Sequence, residues 1–256
     1  MLFLLSPAKK LDYDSPLHTQ LHSDPLFVEQ SKQLIAELKP KSAAEVAKLM
    51  SLSPTLSQLN VDRYAQWVSK STQKNARPAI LAFNGDVYEG LEASTLNEKD
   101  LDWAQKNIVI LSGLYGALRP LDLMQPYRLE MGTKLSNPAG KNLYEFWKLH
   151  LAPYLNQRLS ADKAPVIINL ASEEYFKSVD LGALHARVVQ CVFKEGQAGV
   201  FKIISFYAKR ARGLMARFAI ENHAKTPNDL KAFDHEGYVY QEDLSTIDKF
   251  VFHRST

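Results

Sequence analysis

The sequence predicts a mixed α/β fold, a single domain in which helices pack on a mixed sheet. Three observations support this prediction. The chain has 256 residues, 46% hydrophobic and 23% charged, and a chain of this length buries roughly 70% or more of its unfolded surface. Short apolar, strand-like segments alternate with longer segments of helical spacing. No Pro/Gly-rich linker divides them, so one domain is expected over residues 1–256.

The apolar patterns place the main strands and helices along the chain. The predicted strands are Leu2–Leu5, Ile108–Leu111, Val166–Leu170, Val188–Phe193, Val200–Phe206, Tyr238–Gln241 and Phe250–His253. The predicted helices outside the N-terminal third are residues 142–159, 172–179 and 207–223. Residues 194–199 are suited to a hairpin loop between two of these strands.

A helical block is expected after the first strand, over residues 24–70. Asp24 followed by Pro25 is typical of an N-cap with proline at the first helical position. Ser42 and Glu45 have the spacing of a capping box, and Ser53-Pro54 opens another short helix. The block is predicted to be an insertion within the single domain.

Cysteine usage and hydropathy favour a cytoplasmic protein. Cys191 is the only cysteine, which excludes an internal disulfide and Cys-ligated clusters and favours a reducing compartment. It lies between apolar neighbours in a predicted strand, so we expect it to be buried and inert. Apolar runs fall far short of the roughly 20 residues of a membrane span, and residues 1–5 lack the features of a signal peptide. No membrane partner is expected.

No metal and no cofactor is predicted. His18 and His22 would have metal-ligand spacing on a helix, but the sequence offers no identifiable third ligand. Direct iron sequestration by this chain is therefore a weak alternative, since an iron site needs convergent ligands.

The positive charge is concentrated in one segment. The net charge is +3 and the pI is about 8.7, below the value above 9 typical of a dedicated nucleic-acid domain. Residues 200–220, however, contain five Lys or Arg and no carboxylate. In a helix over 207–222, the core-facing residues would be Ala211, Leu214, Met215 and Phe218. The basic side chains would fan across the other side, either to contact phosphates or to form a solvated face.

Polar turns follow several of the predicted strands. Ser6, Ser112 and Ser172 each come at or just after a strand, and ligands of parallel sheets gather at the carboxyl ends of strands. The alternative is that serines in such turns are plain helix N-caps. Glu173 and Glu174 could be a general acid/base pair, or could simply complement a helix dipole.

The segment from Leu111 to Leu135 is too irregular for a long helix. It contains three glycines and two prolines, together with Arg119 and Arg128. A long irregular stretch inside a compact domain is usually functional, although an ordered packing loop is the alternative. Its glycine spacing matches neither a Walker motif nor a dinucleotide fingerprint.

Five segments of the chain resemble one bacterial family closely. They are SPAKKLDY at 6–13, AILAFNGDVY at 79–88, LSGLYGALRPLDLMQPYRLEMG at 111–132, INLASEEYFKS at 168–178 and FKIISFYAKRARGLM at 201–215. With them the chain resembles the YaaA family of peroxide stress resistance proteins over essentially its whole length. The least similar parts are residues 17–75, 155–165 and the last residues.

The resemblance implies a role in the response to hydrogen peroxide. The family limits oxidative damage to DNA and protein, is associated with lower free iron, and is linked to recombinational repair. Its members look like DNA-binding proteins that accept duplex and branched DNA without clear sequence preference. The implied fold is an α/β type of its own with a positively charged cleft and a helix-hairpin-helix element. The best local match to that element is Gly85 to Lys106. No catalytic residue is implied.

The leading hypothesis is a sequence-nonspecific DNA-binding protein of the oxidative stress response, which protects DNA and limits free-iron damage. Its expected partners are double-stranded or branched DNA and DNA-repair proteins. The expected DNA-binding residues are Lys9, Lys10, Arg119, Arg128, Lys177, Lys202, Lys209, Arg210, Arg212 and Arg217. The alternative is an enzyme of base or phosphate chemistry on DNA or nucleotides, with a polar pocket at strand ends. Its candidate catalytic residues are Glu173, Glu174, Ser112 and Ser6.

Overall fold

A computed structural model describes residues 1–255 and shows a mixed α/β fold, as predicted. Its strands are β1 Leu2–Leu5, β2 Lys10–Leu11, β3 Arg77–Pro78, β4 Phe83–Asn84, β5 Ile108–Ser112, β6 Gly116–Leu118, β7 Leu123–Met124, β8 Val166–Asn169, β9 Arg187–Gln197, β10 Val200–Lys202, β11 Val239–Tyr240 and β12 Lys249–Ser255. Its helices are α1 Val28–Leu38, α2 Ala43–Met50, α3 Pro54–Gln66, α4 Ala79–Ala82, α5 Asp86–Leu91, α6 Glu98–Asn107, α7 Leu143–Arg158, α8 Glu173–Phe176 and α9 Ser205–Glu221. Short 3₁₀ turns occupy Ala93–Thr95, Pro227–Ala232, His235–Gly237 and Glu242–Leu244.

One eight-stranded sheet forms the centre of the molecule. Its order is β11-β12-β9-β8-β1-β5-β6, and β10 pairs with the distal part of β9. The inner strands from β5 to β12 are parallel, whereas β6, β10 and β11 are antiparallel additions. Strands β1, β5 and β8 are buried along their whole length, as expected for parallel strands covered on both faces. Each of the three strands was predicted from the sequence because it is a continuous apolar run.

The helical block follows β2, and its local signals were mostly correct. Ser42 caps α2 in a capping box with Glu45, and Ser53 caps α3 with Pro54 at its first position. The predicted cap at Asp24 is wrong. Helix α1 begins at Val28, and its N-cap Phe27 makes no side-chain cap.

Three other boundaries differ from the prediction. Strand β9 continues through the expected loop to Gln197, and a two-residue turn at Ala198-Gly199 follows. Both turn residues have positive φ, 52° and 82°, which suits the right-handed twist of a hairpin. Strand β10 ends at Lys202 because helix α9 begins already at Ser205. The helix predicted over 172–179 is only the single turn α8.

Most of the buried apolar side chains form one continuous hydrophobic cluster. It joins the sheet to the helical block and to both long helices, α7 and α9. The core face predicted for α9 is confirmed, since Ala211, Leu214, Met215 and Phe218 are all buried. Among residues 1–255, no helix combines the length and the apolar character needed to cross a membrane.

Candidate basic cavity at the sheet switch point

The sheet has a topological switch point between β1 and β8. These neighbouring strands are parallel, but the chain leaving β1 leads to β5 on one side, whereas the chain leaving β8 leads to β9 on the other. Loops that diverge in this way leave a crevice at the carboxyl ends of the two strands, which is where open α/β sheets bind ligands. The strand order therefore locates a candidate site.

Two serines join across this crevice. Ser6 follows β1 and Ser172 follows Asn169, the last residue of β8, by three positions. The backbone N–H of Ser172 donates to Oγ of Ser6 at 2.8 Å, and the Ser6 hydroxyl donates to Oγ of Ser172 at 3.3 Å. Tyr88 donates from its hydroxyl to the Ser6 carbonyl at 3.0 Å. The side chain of Ser172 makes no cap on α8, so its hydroxyl remains at the crevice.

A cavity of about 440 Å³ opens over these serines. Its walls come from residues 6–10 after β1, the start of α5, the segment before Gly132, the turn α8 and one face of α9. The lining residues are Ser6, Pro7, Ala8, Lys9, Lys10, Asn84, Gly85, Asp86, Val87, Tyr127, Arg128, Leu129, Glu130, Ser172, Glu174, Tyr175, Lys209 and Arg212. Pairing of β2 with β4 places Lys10 opposite Asn84 and so closes one wall.

Positive charge exceeds negative charge in this cavity. Five of the lining residues are Lys or Arg and three are Asp or Glu, a difference of two. Glu130 is the main internal counter-charge, because its carboxylate lies 3.1 Å from Nζ of Lys9 and 2.8 Å from Arg128. Lys209 lies 3.8 Å from Asp86, whereas within residues 1–255 Lys10 forms no ion pair. The excess charge is therefore carried by β2 and α9.

Arg212 is the least compensated of these cations. Its Nε is buried and has no hydrogen-bond partner within residues 1–255, and among those residues it forms no ion pair. Burial lowers the pKa of the Arg212 guanidinium, yet an arginine side chain remains charged in proteins. A half-buried positive charge thus faces the cavity without a protein partner.

Helix α9 is held in place by a close crossing with α5. A Cβ at Gly213 would overlap the carbonyl oxygen of Val87, and a Cβ at Gly90 would overlap that of Arg210. The two backbones therefore touch, which explains the small residues among the basic side chains of α9. This crossing brings Lys209 and Arg212 beside the start of α5.

The segment from Gly85 to Lys106, the best local match to a helix-hairpin-helix, folds as α5, a 3₁₀ turn and α6. The paired helical pattern is thus present at the predicted place. Arg217 secures the connection, since its guanidinium donates to the carbonyl of Glu92 at 3.0 Å and to Oγ1 of Thr95 at 2.6 Å. Contact of this segment with DNA stays a prediction.

Five of the ten predicted DNA-binding residues line the cavity, and five lie elsewhere. Those inside are Lys9, Lys10, Arg128, Lys209 and Arg212. Three of the others are engaged with the protein: Arg119 pairs with Asp122 at 2.8 Å, Arg210 with Glu236 at 2.6 Å and Arg217 with Glu221 at 2.5 Å. These three arginines were predicted from their charge alone. The sequence does not indicate which carboxylates they pair with in the fold.

The remaining two basic residues lie outside the cavity lining. Lys177 follows α8, with its Nζ 5.6 Å from the centre of the Tyr144 ring. Lys202 is exposed at the end of the short strand β10. Contact of either lysine with DNA stays a prediction.

The four candidate catalytic residues do not all converge. Ser6 and Glu174 line the cavity, and Glu174 accepts a hydrogen bond from the Gly132 N–H at 2.9 Å. Glu173 does not line it. Ser112 is fully buried behind the cavity wall, where its hydroxyl is 2.6 Å from that of Tyr127. The structure therefore places Ser6 and Glu174 in the cavity, and Glu173 and Ser112 outside it.

Sequence reasoning missed several lining residues that give the cavity its polarity. These are Asn84, Asp86, Tyr127, Glu130 and Tyr175. Each lies inside or beside a motif shared with the family, but none has a local pattern that distinguishes it from a packing residue. Burial raises the pKa of the Tyr127 hydroxyl well above its usual value, so this side chain is neutral and can donate a hydrogen bond.

The other single residues noted in the sequence have local roles. Cys191 is 2% exposed, and burial raises the pKa of its thiol to about 12, which confirms the expectation of a buried thiol. Nε2 of His18 lies 3.1 Å from the Leu96 carbonyl, and Nδ1 of His22 lies 2.8 Å from that of Gln20. Within residues 1–255, no three His, Cys, Asp or Glu side chains are grouped as metal ligands.

Fold and site together define a mixed α/β protein with a basic cavity at the switch point of its sheet. Comparison with known proteins identifies its family. The family model described as peroxide stress protein YaaA matches residues 1–244, and the chain belongs to that family.

Full-length relatives agree with this assignment. The chain is 66% identical over 254 residues to a UPF0246 protein of Bordetella avium and 65% identical to one of Bordetella petrii, with 99% of both chains covered in each case. It is 59% identical to a UPF0246 protein of Albidiferax ferrireducens, over 99% of this chain and 98% of the relative.

Proposed function

We propose that this protein binds DNA without sequence preference during the peroxide response, with the basic cavity and α9 as its phosphate-binding surface. The observation that carries the proposal is the uncompensated charge of Arg212 beside Lys10 and Lys209. A cation that the fold leaves without a carboxylate is free to neutralise a ligand's phosphate. Membership of a peroxide stress family supplies the cellular context.

The role that follows is protection of DNA from iron-driven oxidation. Bound protein would cover the sugar–phosphate backbone, and both duplex and branched DNA would be accepted because phosphate contacts carry no sequence information. DNA-repair proteins are the proposed partners at such sites. An effect on free iron would then be indirect.

Salt dependence of binding tests the proposal. DNA binding through phosphates releases counterions, so the logarithm of the affinity falls linearly with that of the salt concentration, with a slope of about −0.9 per phosphate contacted. We expect the double variant Lys10→Gln/Lys209→Gln to bind a fluorescent duplex more weakly and to reduce the slope by about two. Fluorescence anisotropy at several salt concentrations measures both.

Lys70 and Lys163 provide the matched control, since both are exposed lysines outside the cavity lining. Lys70→Gln/Lys163→Gln removes the same charge and should leave the slope within about half a unit of the parent's. Equal slopes for both double variants would remove the cavity from the DNA site. Absence of duplex binding by the parent protein at low salt would refute the proposal as a whole.

A second candidate function is favoured by the convergence of Ser6, Ser172 and Glu174 in one cavity. This arrangement would suit an enzyme acting on DNA bases or phosphates, with hydroxyls and a carboxylate beside the bound strand. The same titration decides between the two functions if the DNA is recovered and analysed. Strand cleavage or base release that disappears in Glu174→Gln would support the enzyme, and intact DNA would support binding alone.

A further inference from the structure

We infer that the cavity between β1 and β8 receives one nucleotide unit of a DNA strand, with its base turned out of the helix and its flanking phosphates beside α9. The inference rests on the proposed DNA binding and specifies what enters the deepest part of the site. It follows from the size of the cavity, the position of its cations and the kind of polar groups that accompany them.

The cavity has the dimensions of a small-molecule site. Its volume of about 440 Å³ falls within the roughly 300–1,000 Å³ of pockets that bury most of a small ligand. Five separate chain segments surround it, so a whole duplex cannot enter. A single base with its sugar can, once it leaves the base stack.

Three of the five cations lie on elements other than the central strands. Lys209 and Arg212 are three residues apart on α9 and therefore share a helix face, and Lys10 is the first residue of β2. The serine hydroxyls lie instead at the carboxyl ends of the central strands. These cations and the hydroxyls thus come from different walls of the cavity, which matches a ligand whose phosphates are separate from its base.

The three carboxylates of the basic cavity argue against a ligand made of phosphate alone. Asp86 faces Lys209 and Glu130 is neutralised by Lys9 and Arg128. Glu174 uses Oε1 to accept from the Gly132 N–H. Its Oε2 accepts no hydrogen bond from residues 1–255. Glu174 is exposed, so this carboxylate oxygen is open to a ligand that brings N–H donors, and the amino and imino groups of bases are such donors.

Further recognition groups are present in the same space. The side-chain amide of Asn84 makes no hydrogen bond within residues 1–255, so it offers both a donor and an acceptor to a base edge. The Ser172 hydroxyl proton is free to donate, because Ser172 Oγ acts only as an acceptor toward Ser6. Tyr127 and Tyr175 contribute aromatic walls.

The charge count agrees with one nucleotide in a strand. The lining carries two more positive than negative side chains. A nucleotide inside a DNA strand is flanked by two phosphodiesters, each with one negative charge. The cavity could therefore neutralise the two phosphates that must approach when the base turns inward.

The test places 2-aminopurine at a single unpaired position in a duplex and measures its quenching by acrylamide. In the complex with the parent protein we expect the quenching constant to fall several-fold relative to free DNA, because the base is enclosed. Ala8→Phe fills the cavity without changing its charge. This variant should restore the quenching constant of free DNA, measured at a protein concentration that saturates the duplex.

Two further variants serve as controls. Ala161→Phe adds the same bulk at an exposed position outside the cavity lining and should leave the shielding intact. Asn84→Ala removes an amide without adding bulk, and should reduce the shielding even if Ala8→Phe proves unstable by circular dichroism.

The outcomes distinguish a failure of this inference from a failure of the proposed DNA binding. A base that stays accessible while the duplex binds, or shielding unaffected by both cavity variants, overturns the inference and leaves DNA binding standing. Shielding of free 2-aminopurine deoxyribonucleoside monophosphate without shielding in DNA would mean that the cavity takes a free nucleotide, which also overturns it. Loss of binding to every DNA refutes the proposed function, and the inference falls with it.

Discussion

Arg212 holds a positive charge at a position where the protein supplies no counter-charge. Its Nε is buried without a partner, and burial lowers the pKa of the guanidinium. A charged group in this position opposes folding, because its hydration is partly lost and no ion pair replaces it. The fold tolerates such a charge only because other interactions offset its free-energy cost. This pattern is common where function competes with stability.

Arg212→Met should therefore make the protein more stable and bind DNA less well. Removing the uncompensated charge while keeping an unbranched side chain should stabilise by about 1 kcal/mol, which corresponds to a rise in Tm of about 2–4 °C for a chain of this size. Loss of a phosphate contact of about 1.4 kcal/mol would weaken DNA binding roughly tenfold. Thermal denaturation and anisotropy measure the two effects.

Arg128→Met is the matched comparison. Arg128 pairs with Glu130 at 2.8 Å, so its removal leaves that carboxylate with Lys9 alone and should lower Tm. If Arg212→Met lowered Tm as Arg128→Met does, Arg212 would be a structural residue with a partner, contrary to the argument above.

At the scale of elements, the crossing of α5 and α9 positions one wall of the cavity. Gly213 lies against the backbone of Val87, and Gly90 against that of Arg210. Helices approach this closely only when no side chain separates them. The register of α9, and with it the positions of Lys209 and Arg212, depends on these two glycines.

Gly213→Ala should destabilise the protein, although alanine favours helices. The added Cβ would overlap the Val87 carbonyl oxygen, and overpacking of this kind costs about 1–3 kcal/mol. The gain in helix propensity is only about 1 kcal/mol. Because that Cβ would lie 1.8 Å from a backbone oxygen, the overpacking cost belongs at the upper end of this range, and a fall in Tm of several degrees is expected. Calorimetry would measure it.

Gly182→Ala serves as the control for this substitution. A Cβ at Gly182 would meet only the flexible Asp180 carboxylate, at 3.3 Å, so its Tm should hardly change. A neutral or positive shift in Gly213→Ala would show that α5 and α9 can separate without loss, and would remove the crossing as the device that fixes the cavity wall.

At the scale of the whole molecule, an ion network ties the end of the chain to α9. Glu236 lies 2.6 Å from Arg210 and 2.9 Å from Arg254 of the last strand. Arg254 also pairs at 2.7 Å with Glu195, which is 1% exposed. The network therefore joins β9, β12 and α9, which are distant in sequence.

The network should make stability depend on acidic pH. The hydrogen bond and charge of Arg210 hold the pKa of Glu236 below its usual value of 4.5. A lowered folded-state pKa stabilises the protein above the unfolded pKa, and this contribution is lost as the pH falls through the folded pKa. Glu236→Gln should thus reduce the free energy of unfolding at pH 7, with a difference that shrinks below pH 4.5.

Urea unfolding of both proteins at pH 7, 5, 4 and 3 measures this difference. Glu242→Gln is a suitable control, because Glu242 is more exposed and lies 3.6 Å from Lys231 alone. A gap between parent and Glu236→Gln that stays constant over the whole range would mean that the carboxylate charge does not stabilise the fold.

Much of the fold was predictable because its signals are local. The buried strands are continuous apolar runs, and α7 lies within one residue of its predicted ends. The capping box at Ser42 and the amphipathic, basic helix α9 were also recognisable in the sequence. The wrong boundaries arose where two neighbouring elements competed for the same residues. Helix α9 begins before the predicted strand ends, and a turn at Ala198-Gly199 allowed β9 to extend.

The sequence by itself determined the mixed α/β class, the family resemblance and the concentration of positive charge near α9, since each depends on residue type and spacing along the chain. Only the tertiary structure decided that Ser6 meets Ser172, that Arg119 and Arg217 are paired internally, and that Arg212 is not. The reason is physical. Strand order and ion pairing join residues that are far apart in the chain, and no local pattern specifies which of many polar side chains will become neighbours.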